Sequence, residues 1–154
     1  MPLTYTTGDP FLTRQQTLAF GYNVQARTEN TPLAMELQRR YPAALATFRK
    51  RARSGQLKPG DLWVWRESVP RLAVMVVRAS SVGATRPRYV DSAALRLSRD
   101  YLIEGITSVA VAPLGRADET PSIKEALNLL LPASPLSIIY YQAYTPGIDG
   151  ETDL

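Results

Sequence analysis

Residues 106–115 read Ile-Thr-Ser-Val-Ala-Val-Ala-Pro-Leu-Gly, and this stretch decides the fold. Residues 107–112 are small or β-branched and almost continuously apolar, which is typical of a strand covered on both faces. Pro113 and Gly115 break the strand at its carboxyl end. A strand of this kind indicates a parallel sheet packed between helices.

The rest of the chain alternates between strands and helices. Five further strands are predicted at residues 3–7, 17–23, 61–66, 71–78 and 137–141. Four helices are predicted to begin at Thr31-Pro32, at Pro42, at Asp91 (with its end at Gly105) and at Thr120-Pro121. This order predicts an α/β protein with three α/β/α layers around a mostly parallel, mixed sheet of about six strands. We expect one domain over residues 1–145 and a flexible polar tail over residues 146–154.

The composition excludes several classes of chemistry. The 154 residues include no cysteine and no histidine. The sequence therefore excludes disulfides, thiolate nucleophiles, histidine general bases and the usual zinc sites, and we expect neither a metal nor a cofactor. No apolar run approaches the ~20 residues that span a bilayer. Residues 1–9 lack the parts of a signal peptide, so the sequence predicts a cytoplasmic protein without membrane contact.

The net charge of +4 favours an anionic partner without naming one. Residues 39–58 contain no acidic residue and seven basic ones: Arg39, Arg40, Arg49, Lys50, Arg51, Arg53 and Lys58. This basic stretch is open to two interpretations, a surface that contacts nucleic acid and an ordinary solvated helix face. Trp63 and Trp65 share a strand face and are expected in the core or at a partner surface.

The carboxyl ends of parallel strands meet at one edge of the sheet, where ligands of such proteins bind. That rule directs attention to four loops, at residues 8–12, 23–32, 79–90 and 113–120. The carboxylates considered for polar recognition or proton transfer are Asp9 in the first loop and Asp118 with Glu119 in the last. The alternative for Asp9 is a turn-forming residue before proline, and for Asp118 a solvated helix start.

Several short strings, taken in order and spacing, resemble the macro domain family. They are Gly8-Asp9-Pro10-Phe11 after the first strand, Asn23 at the end of the second, the helix over residues 33–42, the turn at residues 58–61 and, above all, residues 106–115. The resemblance spans residues 3–145. It implies a bacterial-like ADP-ribose-binding protein in which Asp9 accepts a hydrogen bond from the adenine amino group, Asn23 meets a ribose and Tyr141 stacks on the base.

The nearest branch of that family removes ADP-ribose from acidic side chains or from DNA bases, and some members use a lysine in the first glycine-rich loop. Here the phosphate loops diverge from the pattern, since residues 25–32 contain neither glycine nor lysine and residues 115–120 keep one glycine. Two interpretations remain open. Arg27 and Arg116 replace the backbone donors with guanidinium groups, or the loops have lost the nucleotide and both arginines are surface groups.

Three functions follow as hypotheses. The first is a macro-like binding module for ADP-ribose or a related NAD-derived nucleotide, with a predicted ligand set of Asp9, Pro10, Asn23, Arg27, Thr31, Leu114, Gly115, Arg116 and Tyr141. The second is an ADP-ribosyl hydrolase acting on modified protein or nucleic acid through Asp118 or Glu119, and we rank it below binding because the loop lysine and histidine are missing. The third is a nucleotide-free scaffold for protein or nucleic-acid contacts.

Overall fold

The computed structural model describes residues 3–152 and 154, apart from the side chains of residues 130 and 133. The strands are β1 (Leu3–Gly8), β2 (Thr17–Asn23), β3 (Leu62–Trp65), β4 (Arg71–Arg78), β5 (Ser108–Val111) and β6 (Ser137–Tyr144). The helices are α1 (Pro32–Arg40), α2 (Pro42–Arg53), α3 (Pro87–Glu104) and α4 (Thr120–Leu130). The predicted order of strands and helices is confirmed.

The six strands form one mixed sheet in the order β1-β6-β5-β2-β4-β3. Every neighbouring pair is parallel except β3 and β4, which are antiparallel. Strand β2 lies inside the sheet, and all seven of its residues are buried. Five strands therefore end at the same edge of the sheet, as the sequence predicted. We call it the strand-end edge.

Helices cover both faces of the sheet, because successive residues of each strand point to opposite sides. On one face Ala19 and Met75 belong to the core that includes the apolar residues of α3 and α4. On the other face Phe20 and Phe48 belong to the core that includes the apolar residues of α1 and α2. Trp63 joins this second core, with its ring centroid 5.9 Å from that of Phe48. The predicted three-layer α/β/α architecture is confirmed.

Two of the four predicted helix starts are correct and two are shifted. Thr31 caps α1, since its hydroxyl accepts a hydrogen bond from the Ala34 amide at 3.1 Å, and α2 begins at Pro42. The prediction of Asp91 as a cap is wrong, because α3 begins four residues earlier with Pro87 in its first turn. Helix α4 begins at Thr120 itself, so Thr120 does not cap it.

The segment after β6 was expected to be a flexible tail, but it packs against the body of the domain. The Thr145 amide donates to the Gly8 carbonyl at 2.8 Å, and the Asp9 amide donates to the Ile148 carbonyl at 2.6 Å. The side chain of Glu151 is buried, with only 4% of the residue exposed. We call residues 145–151 the C-terminal clasp.

In the part of the chain that the structure describes, no helix is long and apolar enough to cross a membrane.

Candidate functional site

The strand-end edge brings together residues from four strands. Asp9 follows β1, Asn23 ends β2, Arg78 ends β4 and Leu114 follows β5. The loop of residues 24–31 crosses this edge between β2 and α1, and residues 113–119 cross it between β5 and α4. Asp9, Asn23 and Leu114 were predicted as site residues, and the fold places them on one edge. Their roles in binding stay predictions.

Asn23 organises the first loop. Its side-chain amide nitrogen donates to the Arg27 carbonyl at 2.8 Å and to the Glu29 carboxylate at 2.9 Å, while its oxygen accepts from the Arg27 amide at 3.1 Å. The residue is fully buried. All polar atoms of the Asn23 side chain are therefore engaged within the chain, and they hold residues 26–29 in a fixed turn.

An ion pair between Glu29 and Arg78 fills the middle of the edge. A guanidinium nitrogen of Arg78 lies 2.9 Å from a Glu29 oxygen, and its Nε donates to the other oxygen at 3.0 Å. The side chains are only 11% and 8% exposed. Arg78 Nη1 also donates to the Thr85 hydroxyl and to the Leu114 carbonyl, both at 2.8 Å. One guanidinium thus links the ends of β2, β4 and β5.

The sequence did not identify three residues that hold this edge together: Arg78, Glu29 and Thr85. The available signal was Arg78, a charged residue that directly ends the nearly continuous apolar run of residues 72–77. A buried strand that ends in an arginine at the ligand-binding edge of a sheet places a buried cation there. Nothing in the sequence identified Glu29 as its partner, since the two residues are 49 positions apart.

The second loop is closely packed around Glu119. One Glu119 oxygen accepts from the Thr85 amide at 2.9 Å and the other from the Arg116 amide at 2.8 Å. A Cβ atom on Gly115 would lie 2.6 Å from Glu119 Oε1 and 2.9 Å from the Thr85 hydroxyl. Gly115 is therefore required by packing, and Glu119 holds two loops together with both of its oxygens.

Asp118, the other predicted catalytic carboxylate, lies outside this packed region. Its side chain is 75% exposed, and it forms an ion pair with Arg116 Nε at 3.4 Å. Arg116 is itself a surface group, with a side chain that is 69% exposed. Asp118 and Arg116 therefore contact each other on the surface, and neither lies among the buried groups of the strand-end edge.

Asp9 is buried at the other end of the edge. One of its oxygens accepts from the Phe11 amide at 2.9 Å and the other from the Gly147 amide of the C-terminal clasp at 2.9 Å. Pro10 follows within a 3-10 turn, Pro10–Leu12, that Asp9 caps. The turn-forming role expected for Asp9 is thus present in the structure, and the clasp lies directly over this carboxylate.

The clasp is anchored by Glu151. Its carboxylate accepts hydrogen bonds from the Thr13 hydroxyl, the Arg14 amide at 3.1 Å, the Gln15 side chain at 3.2 Å and the Tyr141 hydroxyl at 2.6 Å. Burial opposes ionisation of Glu151, but these hydrogen bonds outweigh it and lower the pKa of the carboxyl group. Burial, with the Glu151 hydrogen bond, raises the pKa of the Tyr141 hydroxyl.

The tyrosines of β6 occupy three different environments. Tyr140 packs in the core beside α3 and α4, and its hydroxyl accepts from the Leu114 amide at 3.1 Å. Tyr141 is fully buried on the opposite face, so its ring has no surface for a base to stack on while the clasp is in place. Tyr144 is partly exposed and lies edge-on to Phe11, with ring centroids 5.8 Å apart.

The remaining predicted residues lie on the surface beside the first loop. The Arg27 side chain is exposed, and Thr31 uses its hydroxyl to cap α1. At the start of the basic stretch, Arg39 and Arg40 both pair with Glu36. Hydrogen bonds from these two arginines lower the pKa of Glu36 to about 2. Within the described residues, no group of three or more acidic residues could hold a metal ion.

No protein-family model matches the sequence, and no curated protein matches it. Among solved structures, the chain is similar to the macrodomain of Thermus aquaticus DarG, with 18% identity, a TM-score of 0.80 and coverage of 94% of this chain and 98% of that chain. The macrodomain of Mycobacterium tuberculosis DarG gives 20% identity, a TM-score of 0.71 and the same two coverages.

The chain is also similar to Thermosipho africanus DarTG in complex with ADP-ribose. Here the identity is 18% and the TM-score 0.82, and the match covers 97% of this chain and 43% of that chain. At these identities the likeness concerns the fold, and the fold that the sequence predicted is confirmed.

Proposed function

We propose, from the premise that the chain has the macrodomain fold, that it binds ADP-ribose or a related NAD-derived nucleotide at the strand-end edge. The observation that carries the proposal is the convergence of Asp9, Asn23, Arg78 and Leu114 on the edge where open α/β sheets bind their ligands. One of the solved structures that this chain resembles is that of Thermosipho africanus DarTG in complex with ADP-ribose.

The adenine end of the proposed site is built around Asp9. Each of its oxygens accepts one backbone hydrogen bond, whereas a carboxylate offers about four acceptor positions. Asp9 is buried under the C-terminal clasp, so we expect the clasp to move aside before an adenine amino group donates to one of the remaining acceptor positions. Tyr144 is the partly exposed ring on this side, so we assign the stacking role to Tyr144 rather than to the buried Tyr141.

The diphosphate end is built around Arg78 in place of a glycine-rich loop. A guanidinium can bind phosphate oxygens through two parallel hydrogen bonds, and here Arg78 holds the Glu29 carboxylate through one hydrogen bond and an ion-pair contact at 2.9 Å. We expect the diphosphate to replace Glu29 on Arg78, with the loop of residues 24–31 moving outward as this happens. The hydrogen bonds from Arg78 to Thr85 and to the Leu114 carbonyl keep the guanidinium in position meanwhile.

The proposal concerns binding and does not include hydrolysis. Asp118 is exposed and paired with Arg116, and Glu119 uses both oxygens to hold backbone amides. We therefore assign catalysis to neither carboxylate in this proposal. Contact with nucleic acid through the basic stretch is likewise not part of this proposal.

Calorimetry and thermal melting with ADP-ribose, NAD, AMP and IMP test the proposal. A ligand at about 100 times its Kd adds about 2.7 kcal/mol of stability, which for a domain of this size raises the Tm by roughly 5–11 °C. We expect AMP to bind more tightly than IMP, which lacks the amino group, and Asp9→Asn to reduce that difference. Asp118→Asn serves as the control and should leave all affinities unchanged. Absence of heat and of any Tm shift with all four ligands would refute the proposal.

A further inference from the structure

A basic depression lies between the first loop and helices α1 and α2. It has a volume of about 660 Å³ and is lined by Arg27, Thr28, Gln38, Arg49 and Arg53. Three of these five residues are arginines and none is acidic. Asn23, Glu29, Arg78 and Leu114 do not line it. A volume of this order falls within the range of small-ligand sites.

The backbone beside the depression is held in a conformation that L-residues rarely adopt. Ala26 has a φ of +55° and is the one non-glycine residue with positive φ in the described part of the chain. Two contacts fix it there: Asn23 binds both backbone polar groups of Arg27, and Arg49 Nε donates to the Ala26 carbonyl at 3.1 Å. Such backbone strain is found where a particular arrangement of side chains is needed.

The charges in the depression are not neutralised. The side chains of Arg27 and Arg53 are exposed and make no ion pair or hydrogen bond within the described residues, whereas Arg39 and Arg40 share Glu36. The acidic residue of the neighbouring loop, Glu29, is paired with Arg78.

Gln38, which also lines the depression, has a side-chain oxygen without a hydrogen-bond partner in the described part of the chain. Its Oε1 atom is buried and makes no hydrogen bond with the described residues.

We propose that this depression is a binding site for a small phosphate-class anion with two adjacent phosphoryl groups, distinct from the nucleotide site. Guanidinium groups match the planar geometry of phosphate oxygens and bind them in pairs. Arg27 from the first loop and Arg53 from α2 provide the exposed donors. Arg49 is half-buried between them and fixes the loop.

Inorganic pyrophosphate is the probe, measured by calorimetry at low salt on the whole chain. Arg53→Gln removes one exposed guanidinium of the site, and we expect the Kd to rise about tenfold, the effect of one charge-assisted phosphate contact. Arg51→Gln is the matched control, since Arg51 is exposed on the same helix, does not line the depression and carries the same charge. It should change the Kd by less than about twofold, the effect of a screened distant charge. Both residues are exposed, so both variants should fold.

Equal losses in the two variants would mean attraction to general positive charge and would overturn the proposal, as would the absence of pyrophosphate binding. The ADP-ribose affinity of the Arg53→Gln variant separates this site from the nucleotide site. Arg53→Gln should leave the Kd for ADP-ribose unchanged while it weakens pyrophosphate binding, and an equal loss for both ligands overturns the separation of the two sites. A short single-stranded oligonucleotide is the third probe. If it binds more tightly than pyrophosphate and loses affinity in Arg53→Gln but not in Arg51→Gln, the ligand is a nucleic-acid backbone. That result would overturn the assignment of a small anion.

Discussion

The ion pair between Glu29 and Arg78 provides the sharpest test of how the strand-end edge is held together. In Glu29→Ala, Arg78 loses the hydrogen bond from its Nε and its counter-ion while remaining largely buried. Breaking a buried pair by removing one partner costs about 3–5 kcal/mol, because the remaining charge is left without compensation. We expect the lower end, about 3 kcal/mol, because Arg78 keeps its hydrogen bonds to Thr85 and Leu114.

For a domain of this size, 1 kcal/mol corresponds to about 2–4 °C, so the Tm of Glu29→Ala should fall by roughly 6–12 °C. Thermal melting by circular dichroism, supported by urea unfolding, measures the change. Glu36→Ala is the matched control, because Glu36 also pairs with arginine, but on an exposed helix surface where ion pairs contribute little. Its Tm should remain close to that of the unmodified chain.

A double variant separates the ion pair from other effects of the substitution. Arg78→Met removes the cation, so the combination of Glu29→Ala and Arg78→Met should be less destabilised than the sum of the two single variants. Two results would contradict this prediction: a change in the Tm of Glu29→Ala of less than about 2 °C, or additive effects of the two substitutions. Either result would mean that the ion pair between Glu29 and Arg78 does not stabilise the strand-end edge.

Three further predictions concern the surrounding contacts. Glu151→Gln should destabilise the domain by about 2 kcal/mol, since charge-assisted hydrogen bonds are weakened. Because the Glu151 pKa is lowered on folding, its contribution is full above its unfolded value of 4.5 and is lost as the pH falls below that. Melts between about pH 6 and pH 3 should therefore decline less steeply in the variant, and parallel curves would contradict this. Gly115→Ala should cost about 1–3 kcal/mol in urea unfolding, because its Cβ would meet Glu119 and Thr85, and an unchanged midpoint would show that the loop can relax. Burial raises the pKa of Tyr140 from 10.0 to about 12, so its contribution to stability should be full below pH 10 and lost as the pH rises to about 12. Alkaline unfolding followed by phenolate absorbance checks this, and Tyr140→Phe, which lacks the ionising hydroxyl, should remove that contribution.

Much of the fold could be predicted from the sequence because several of its strands are nearly continuous apolar runs. Strand β4 was located at residues 71–78 and β2 at residues 17–23, as found. Thr31-Pro32 identified the start of α1, since threonine accepts the first amide hydrogen bond and proline needs none. The start of α3 was missed because Asp91, a common capping residue type, stands four residues after the proline that begins the helix.

The contacts of the candidate site could not be read from the sequence, because each depends on residues far apart in the chain. Glu29 and Arg78 meet only when β2 and β4 lie side by side. The polar composition of residues 146–154 suggested a loose segment, yet Glu151 finds its hydrogen-bond partners at residues 13–15 and at Tyr141. Local composition carries no information about such partners.

One residue, Leu114, fixes the second loop at the strand-end edge. The Leu114 amide donates to the Tyr140 hydroxyl on β6, and its carbonyl accepts from Arg78 on β4 and from the Thr85 hydroxyl. The second loop therefore cannot move outward without breaking contacts to two strands at once. Any opening of this edge therefore falls to the first loop, residues 24–31, which the proposed diphosphate would displace from Arg78. The second loop should keep the same conformation with and without a ligand.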